Sequence, residues 1–257
     1  MTRGMRRDRR RFLTRVAGLG GALVLAGCDR LSRADWFAKV LSNAEIVNRK
    51  LHHLLASRSS MAKEFAATDL SPDFPSNGTR QPTDPEYLRL AENHFREWRL
   101  EMSGLVERWE SLSLDDLREL PSRTQITRHD CVEGWSAIAQ WKGVRLSALL
   151  EKAGVRPQAR YVVFFCFDAM EAGGAKYYES IDLEDAFHPQ TLLAYEWNGQ
   201  PLPVRYGAPL RLRLERQLGY KMAKYIRSIE VVERLDEIGE GRGGYWEDRG
   251  YEWYAGI

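Results

Sequence analysis

The sequence predicts a mixed α+β fold, because helix-type and strand-type patterns alternate along it without an internal repeat. Residues 161–167 form a continuous apolar, aromatic and β-branched run, which is typical of a buried strand. From Leu210 to Glu215, leucines alternate with charged residues, and this period of two also predicts a strand. Residues 145–153 have the pattern of a helix, with Gly154 placed to end it.

Shorter signals place the remaining elements of the fold. The run from Ser113 to Asp116 is a capping box, so it predicts a short helix that Pro121 ends. Asn198-Gly199 predicts a tight turn between two strands, and a further strand is expected around Ile229 and Val231.

The first 27 residues have the layout of a bacterial signal peptide. Seven arginines precede the apolar run from Val16 to Gly27. That run is too short to cross a bilayer, which requires about 20 apolar residues. The run from Arg9 to Leu13 resembles a twin-arginine export signal, and the run from Leu25 to Cys28 resembles the lipobox at which a lipoprotein is acylated. We therefore expect export, lipidation at Cys28 and a position on the periplasmic side of the inner membrane.

The distribution of charge gives no support to a nucleic-acid partner, and the residue pattern suggests the domain organisation. The chain carries a formal charge of +2, of which residues 1–27 contribute +6, so the remainder carries −4 and gives no support to a nucleic-acid partner. Residues 28–84 are expected to form a helical arm, over about 35–66, followed by a linker rich in Pro, Ser, Asp and Gly. The catalytic domain is expected over residues 85–257.

Cys131 lies in the segment of the chain that is richest in chemically useful groups. Arg128, His129 and two acidic residues surround it. A thiolate is the form that binds metal, and a neighbouring cation favours that form. Three other interpretations stay open from these residues alone. Cys131 could be a buried structural cysteine, or it could form a disulfide with Cys166 in an oxidising compartment. It could also be the nucleophile of a cofactor-free thiol enzyme with His129 as the base.

Four segments of the chain carry a family pattern when they are taken in order. They are residues 99–106 with the helix after them, residues 131–136, residues 188–193, and residues 207–212 with 219–221. Together they resemble the molybdopterin-binding domain of the sulfite oxidase family, over about residues 93–257. The resemblance is strongest to the exported bacterial branch, which includes the catalytic subunits of periplasmic methionine-sulfoxide reductases.

The resemblance implies a site for a molybdenum–molybdopterin cofactor. It makes Cys131 the protein ligand to molybdenum. Glu133 would lie near the metal, either as a catalytic proton donor or as a group that supports the metal ligand. Arg211 and Lys221 would bind the cofactor phosphate, a role that suits a guanidinium fork and an ammonium group. Because Arg211 and Arg213 alternate with leucines, one of the two is expected on a solvated strand face. Further cofactor contacts are implied at Asn93, His94, Tyr206, Gly219, Tyr220 and Cys166, of which the last also suits a core position.

The resemblance also implies a reaction class and an electron partner. The family moves an oxygen atom and two electrons, with the cofactor supplying the redox chemistry. Only Arg128 is available to bind a sulfite dianion, which favours a sulfur oxide or a related small substrate. A sulfite dehydrogenase and a cofactor-free lipoprotein binding module on the same fold are the alternatives. The chain has neither the family's dimerisation domain nor a heme motif, so we expect a monomer that exchanges electrons with a membrane cytochrome or a quinone-linked partner.

Overall fold

A computed structural model describes residues 60–171 and 173–257, together with six positions between residues 36 and 51. The chain divides into two compact units, residues 1–52 and residues 53–257. In the first unit the six positions are helical, in agreement with the amphipathic pattern. The signal segment and Cys28 lie outside the described residues, so export and lipidation stay predictions. Among the described residues, no helix is both long enough and apolar enough to span a bilayer.

The second unit mixes strands and short helices along its length. Its strands are β1 (Leu100–Gly104), β2 (Glu110–Leu112), β3 (Ser122–Asp130), β4 (Ser136–Arg145), β5 (Tyr161–Ala169), β6 (Lys176–Asp182), β7 (Leu192–Trp197), β8 (Gln200–Pro201), β9 (Arg211–Arg213) and β10 (Ile226–Val232). Its α-helices are α1 (Pro85–Glu92), α2 (Leu114–Glu119), α3 (Leu146–Ala153) and α4 (Leu183–Ala186). The predicted α+β class is confirmed.

The first sheet has the strand order β2-β1-β10-β5-β6 and packs against the larger hydrophobic core. β1 runs parallel to β10, and the other neighbours are antiparallel. β5 has β10 on one side and β6 on the other, and its apolar sequence is buried on both faces, with Val162, Val163 and Phe164 inaccessible to solvent. The strand predicted over residues 161–167 is therefore confirmed, and it continues to Ala169.

The second sheet has the strand order β3-β4-β7-β8, with β9 paired to β7. β3 and β4 form a long antiparallel hairpin, and the turn of this hairpin carries Cys131. The tight turn predicted at Asn198-Gly199 joins β7 to β8. The strand predicted from Leu210 is present as β9, but all of its residues are buried.

Two helix boundaries form as their sequences predict. At the start of α2, the backbone N–H of Asp116 donates to Oγ of Ser113 (3.1 Å), and the N–H of Ser113 donates to Oδ2 of Asp116 (2.8 Å). At the end of α3, Gly154 takes a left-handed conformation with φ of 73°. Glycine adopts that conformation without the steric cost that a Cβ imposes.

Residues 60–80, called here the strap, form a mostly extended segment with a 3₁₀ turn at Ala67–Asp69, and part of it packs along the second sheet. The predicted helical arm does not continue into it, because residues 60–66 are extended and Glu64 forms a β-bridge with Thr127. The backbone N–H of Ser71 donates to the carbonyl of Ile138 (3.0 Å), and Phe74 is buried among aromatic rings of the sheet. The position of the domain boundary stays a prediction, yet the irregular segment before residue 85 is part of the packed unit.

Candidate active site

A cavity of about 170 Å³ lies where the β3–β4 turn meets the ends of β5 and β6. The strap, the 3₁₀ turn Gly219–Lys221 and the C-terminal segment supply its remaining walls. The side chains and backbone that line it are Asn77, Gly78, Thr79, Cys131, Val132, Glu133, Asp168, Met170, Tyr177, Gly219, Tyr220, Met222, Lys224, Trp246 and Tyr251. Four of these residues, Cys131, Glu133, Gly219 and Tyr220, are ones that the sequence singles out for catalysis or cofactor contact, and the others are not.

Cys131 and Glu133 lie together at this cavity, in the turn that follows β3. The turn is closed by a bond from the N–H of Gly134 to the carbonyl of Cys131 (3.0 Å). Cys131 is 7% exposed, and it is a free thiol, as is Cys166. Burial raises the pKa of the Cys131 thiol, and the nearby Glu133 carboxylate raises it further. The disulfide interpretation is wrong, since both cysteines are unpaired.

Glu133 is oriented by a neighbour on the same turn. Nε1 of Trp135 donates to Oε2 of Glu133 at 2.9 Å, while the Glu133 side chain remains exposed to solvent. A carboxyl group that faces both the cavity and solvent can exchange protons between the two. The geometry thus suits the proton-donor role that the sequence assigns to Glu133.

Arg211 is a buried cation with unused hydrogen-bond donors. It is 1% exposed, and Nη1 donates to the carbonyl of Tyr206 at 3.0 Å. Nε and Nη2 have no partner within the protein, and the guanidinium carbon lies 4.8 Å from the centre of the Trp141 ring. Burial and the neighbouring Arg213 lower the pKa of Arg211 to about 9. A buried guanidinium with two free donors is suited to binding an anion.

Arg213, two residues further along the same strand, is also buried. The expectation that one of the two arginines faces solvent is therefore wrong. Arg213 forms a two-point ion pair with Glu215, at 2.9 Å and 2.7 Å. Its Nη1 also lies 3.0 Å from Nδ1 of His129. Side chains on both faces of this strand are buried. The sequence does not show this, because Glu215, the ion partner of Arg213, continues the same alternation of leucines with charged residues.

His129 is fully buried behind the cavity, beside these arginines. Because Nδ1 accepts from Arg213, the ring is neutral and its proton lies on Nε2, which has no partner within the protein. Burial, together with the charges of Arg213, Arg211 and Lys224, holds the pKa of His129 well below its usual range. A histidine that resists protonation is a poor general base, which argues against the thiol-enzyme interpretation.

Gly219 is required by the close approach of this ring. A Cβ at residue 219 would lie 2.4 Å from Nε2 of His129, and the imidazole is packed between Phe74 and Trp135. Any larger residue would therefore displace the ring. The resemblance implies a cofactor contact at Gly219, and in the structure its close neighbour is the His129 side chain of the protein itself.

Lys221 lies away from the cavity, contrary to the role that the sequence assigns to it. Its ammonium group is fully buried and donates to Oε1 of Glu179 (2.5 Å) and Oε1 of Glu247 (2.6 Å). These two carboxylates raise the pKa of Lys221 against the opposing effect of burial. Its hydrogen bonds are used within the protein, so it acts as an anchor for the C-terminal segment.

Lys224, three residues later, lines the cavity in its place. Its Nζ donates to the strap carbonyls of Asn77 and Thr79, both at 2.6 Å. Burial and the charge of Arg211 lower the pKa of Lys224 to about 8, and Asp168 opposes that shift. The sequence did not identify this residue, and the one signal for it is that a second lysine follows Lys221 after three residues.

The other predicted contacts divide between the cavity and its surroundings. Tyr220 lines the cavity, and its hydroxyl donates to the carbonyl of Glu252 (2.7 Å). Tyr206 is buried beside Phe74, to whose carbonyl its hydroxyl donates (2.8 Å), and Cys166 is a core residue of the first sheet. At the end of α1, Asn93 has a buried Oδ1 without a partner in the protein, while His94 is exposed; neither lines the cavity.

Asp168, at the end of β5, is expected to make stability depend on pH. Burial raises its pKa to about 6 from 3.8, although Lys224 opposes this shift. The carboxyl is thus harder to ionise in the folded than in the unfolded chain, so the free energy of unfolding should fall as the pH rises from about 4 to about 6. Denaturant titrations of cofactor-free protein should show this fall, and Asp168→Asn should flatten it. The exposed substitution Asp115→Asn should leave it, and an unchanged slope in Asp168→Asn would contradict the assignment.

Comparisons with known proteins show which family the chain belongs to. Residues 88–237 match the model of the oxidoreductase molybdopterin binding domain. The chain belongs to the sulfite oxidase family. A chain of Azospira oryzae, provisionally named a protein-methionine-sulfoxide reductase subunit (YedZ1), is 39% identical over 96% of this chain and 87% of its own length. The catalytic subunit of the Xanthomonas campestris protein-methionine-sulfoxide reductase MsrP is 32% identical over 90% of this chain and 72% of its own.

The fold of this family is also found in a solved structure. The sulfane dehydrogenase SoxCD from Paracoccus pantotrophus superposes with a TM-score of 0.50 at 23% identity, over 58% of this chain and 45% of that one. The predicted family, fold and molybdopterin cofactor are confirmed. The cofactor-free alternatives are therefore set aside.

The residues present fit the cofactor of the family. Several buried polar atoms lack a partner in the protein, namely Nε and Nη2 of Arg211, Nε2 of His129, and Oδ1 of Asn93 and of Asp168. Buried polar atoms are rarely left unpaired. The donors of Arg211 and His129 suit a ligand with an anionic group, whereas the two oxygens are acceptors for N–H or O–H groups of a polar ligand. Cys131 is the one thiol among the described residues that line the cavity. Cys131 would hold the metal, and Lys224 would face the phosphate from the cavity wall. Arg211 does not line the cavity itself, but it lies close enough to Lys224 to lower that lysine's pKa, and its two unused donors would add to the phosphate site.

Proposed function

We propose that this chain is an exported, lipid-anchored molybdenum enzyme that reduces sulfoxides with electrons from a membrane partner. The observation that carries the proposal is the cavity itself. Cys131 and Glu133 line it together, and Lys224 is the one cation among the described residues that line it. Relatives named as methionine-sulfoxide reductase subunits support the same substrate class.

The reaction would convert a sulfoxide into a thioether and water, consuming two electrons and two protons. The bound cofactor supplies the oxygen-atom and electron transfer. Cys131 would bind the metal as a thiolate, and because burial raises its pKa, loading must release the thiol proton to solvent. Glu133, oriented by Trp135, would hold a proton at its carboxyl group beside the departing oxygen and be recharged from solvent.

Sulfite oxidation is the less favoured direction, because a dianion would find few cations. Arg128 is paired with Asp130 at 2.8 Å and does not line the cavity. Lys224 already donates to two carbonyls of the strap. A neutral sulfoxide needs no such cation, so it suits these walls better.

Two assays on one preparation test the proposal. Protein from a host that makes the cofactor would first be analysed for molybdenum. It would then be given a methionine-sulfoxide peptide with reduced benzyl viologen as electron donor, and, separately, sulfite with ferricyanide as electron acceptor. We expect turnover in the first assay only. Turnover in the sulfite assay alone would show that the protein is a sulfite dehydrogenase and not a sulfoxide reductase. Protein that contains no molybdenum would contradict both activities.

The lipid anchor is tested separately by replacing Cys28. We expect the wild-type protein to sediment with membranes of the producing bacterium, and Cys28→Ala to be found in the soluble fraction with its molybdenum retained. Two or three acyl chains contribute about 0.8 kcal/mol for each buried CH₂, so their loss should release the protein. Mass spectrometry of the mature N-terminus would identify the acyl groups. A Cys28→Ala protein that still sediments with membranes would contradict lipidation as the anchor.

A further inference from the structure

An aromatic pair from the C-terminal segment stands at the cavity, beyond the residues matched to the family. Trp246 and Tyr251 both line the cavity, and their rings stack with centres 5.2 Å apart and an interplanar angle of 30°. Tyr251 is 39% exposed and Val132 is 47% exposed, so this end of the cavity is its mouth. The proposed reaction leaves the pair without a role.

The pair is held rigidly in this position. The 3₁₀ turn Glu247–Arg249 separates the two rings, and the N–H of Tyr251 donates to the carbonyl of Trp246 (3.0 Å). The buried ion pair between Lys221 and Glu247 fixes the turn to the protein, and the N–H of Tyr245 donates to the carbonyl of Tyr178 (3.0 Å). Rings that are already ordered lose little entropy when a ligand binds.

The chemistry of this mouth favours an apolar group that contains sulfur. Met170 and Met222 line the same cavity as the two rings. Lys224, the one cation among the described residues that line it, already donates to two carbonyls of the strap. Aromatic faces bind thioether and methyl groups through dispersion and sulfur–aromatic contacts. An oxyanion gains nothing from such a wall.

We propose that Trp246 and Tyr251 are specificity-determining residues that bind the apolar arm of the sulfoxide, the methylene and S-methyl groups beside the reacting S–O bond. This inference rests on the proposed function for its substrate class. It assigns the C-terminal segment to substrate selection, and it assigns the buried ion pair to the positioning of that segment.

Direct binding to molybdenum-loaded protein tests the inference without turnover. The probe is N-acetylmethionine sulfoxide amide, followed by ligand-detected NMR at the S-methyl group. We expect Trp246→Ala and Tyr251→Ala each to raise its Kd about tenfold, which is the upper range of one sulfur–aromatic contact. Trp246→Phe should restore most of the affinity. Trp109→Ala removes a tryptophan that is 77% exposed and does not line the cavity, so it should leave the Kd unchanged.

A second measurement separates this inference from the proposed function. In the viologen assay, Trp246→Ala should raise KM for the probe while leaving kcat and molybdenum content near those of the wild type. Equal Kd values in Trp246→Ala, Tyr251→Ala and Trp109→Ala would overturn the inference, as would a wild-type protein that does not bind the probe. A third outcome is that the wild type binds the probe but does not reduce it, while both alanine variants bind it more weakly. That outcome would support the binding role of the two rings and reject the proposed reductase activity.

Discussion

Replacing Cys131 with serine is expected to abolish both molybdenum retention and turnover. Serine has nearly the same size, but its hydroxyl does not ionise near neutral pH and does not provide the thiolate that the metal requires. Activity should fall by more than about a hundredfold, since mutation of groups that only orient a metal ligand already costs about 10–100-fold. Elemental analysis and the viologen assay measure the two losses on one sample.

Cys166 offers a matched control for this substitution within the same chain. It is also a buried free thiol, but it packs in the core of the first sheet and does not line the cavity. Cys166→Ser should therefore retain molybdenum, at some cost in stability. Equal loss of molybdenum in both variants would indicate a folding defect, and retention in Cys131→Ser would remove the metal-ligand assignment.

Replacing Arg211 with methionine is expected to change cofactor retention and apoprotein stability in opposite directions. Two guanidinium donors have no protein partner, and a hydrogen bond to a charged group contributes about 1.5–3 kcal/mol when it is made. Cofactor affinity should thus fall by one to two orders of magnitude or more. Without the cofactor, methionine removes a buried, unpaired charge, so the free energy of unfolding should rise by about 1–3 kcal/mol. Denaturant titrations of both forms measure the two effects.

Arg213 is the control for this second prediction, because its charge is compensated. Removing it in Arg213→Met leaves Glu215 buried without its ion partner, which should cost about 3–5 kcal/mol of stability even in the cofactor-free chain. Opposite signs for these two neighbouring arginines would identify Arg211 as the one that awaits a ligand. A loss of apoprotein stability in Arg211→Met would instead show that its present contacts satisfy it.

The regular elements were predictable where local chemistry decides them. The capping box at Ser113, the left-handed Gly154 and the turn at Asn198-Gly199 each use interactions within a few residues, so sequence spacing reports them directly. The apolar run of β5 likewise needs only burial on both faces to become a strand. These features establish the α+β class without any long-range information.

The site was predictable only in part, since long-range partners decide the rest. Lys221 and Lys224 are three residues apart in one irregular segment, where no periodicity indicates direction. Glu179 and Glu247, which bind Lys221, lie 42 and 26 residues away along the chain. Family resemblance identified a basic site there, whereas only the fold shows which lysine the carboxylates neutralise and which one reaches the cavity.

The strap shows in a different way what composition leaves out. Its prolines, serines and glycines correctly predict irregular backbone, but irregular backbone can still be tightly packed. Phe74 is buried among Trp141, Trp197 and Tyr206, and none of these contacts follows from local sequence. Composition indicates that a segment forms no regular helix or strand, but it does not indicate against which surface the segment packs.

Because the strap forms one wall of the cavity, the segment of chain needed to build the complete site is longer than the matched domain, which begins at residue 88. A gene fusion or a domain exchange made at residue 88 would discard Phe74 and the carbonyls of Asn77 and Thr79. The Lys224 ammonium group would then stay in the recipient without the acceptors that hold it. The module that can be moved between proteins with its chemistry intact therefore begins near residue 60.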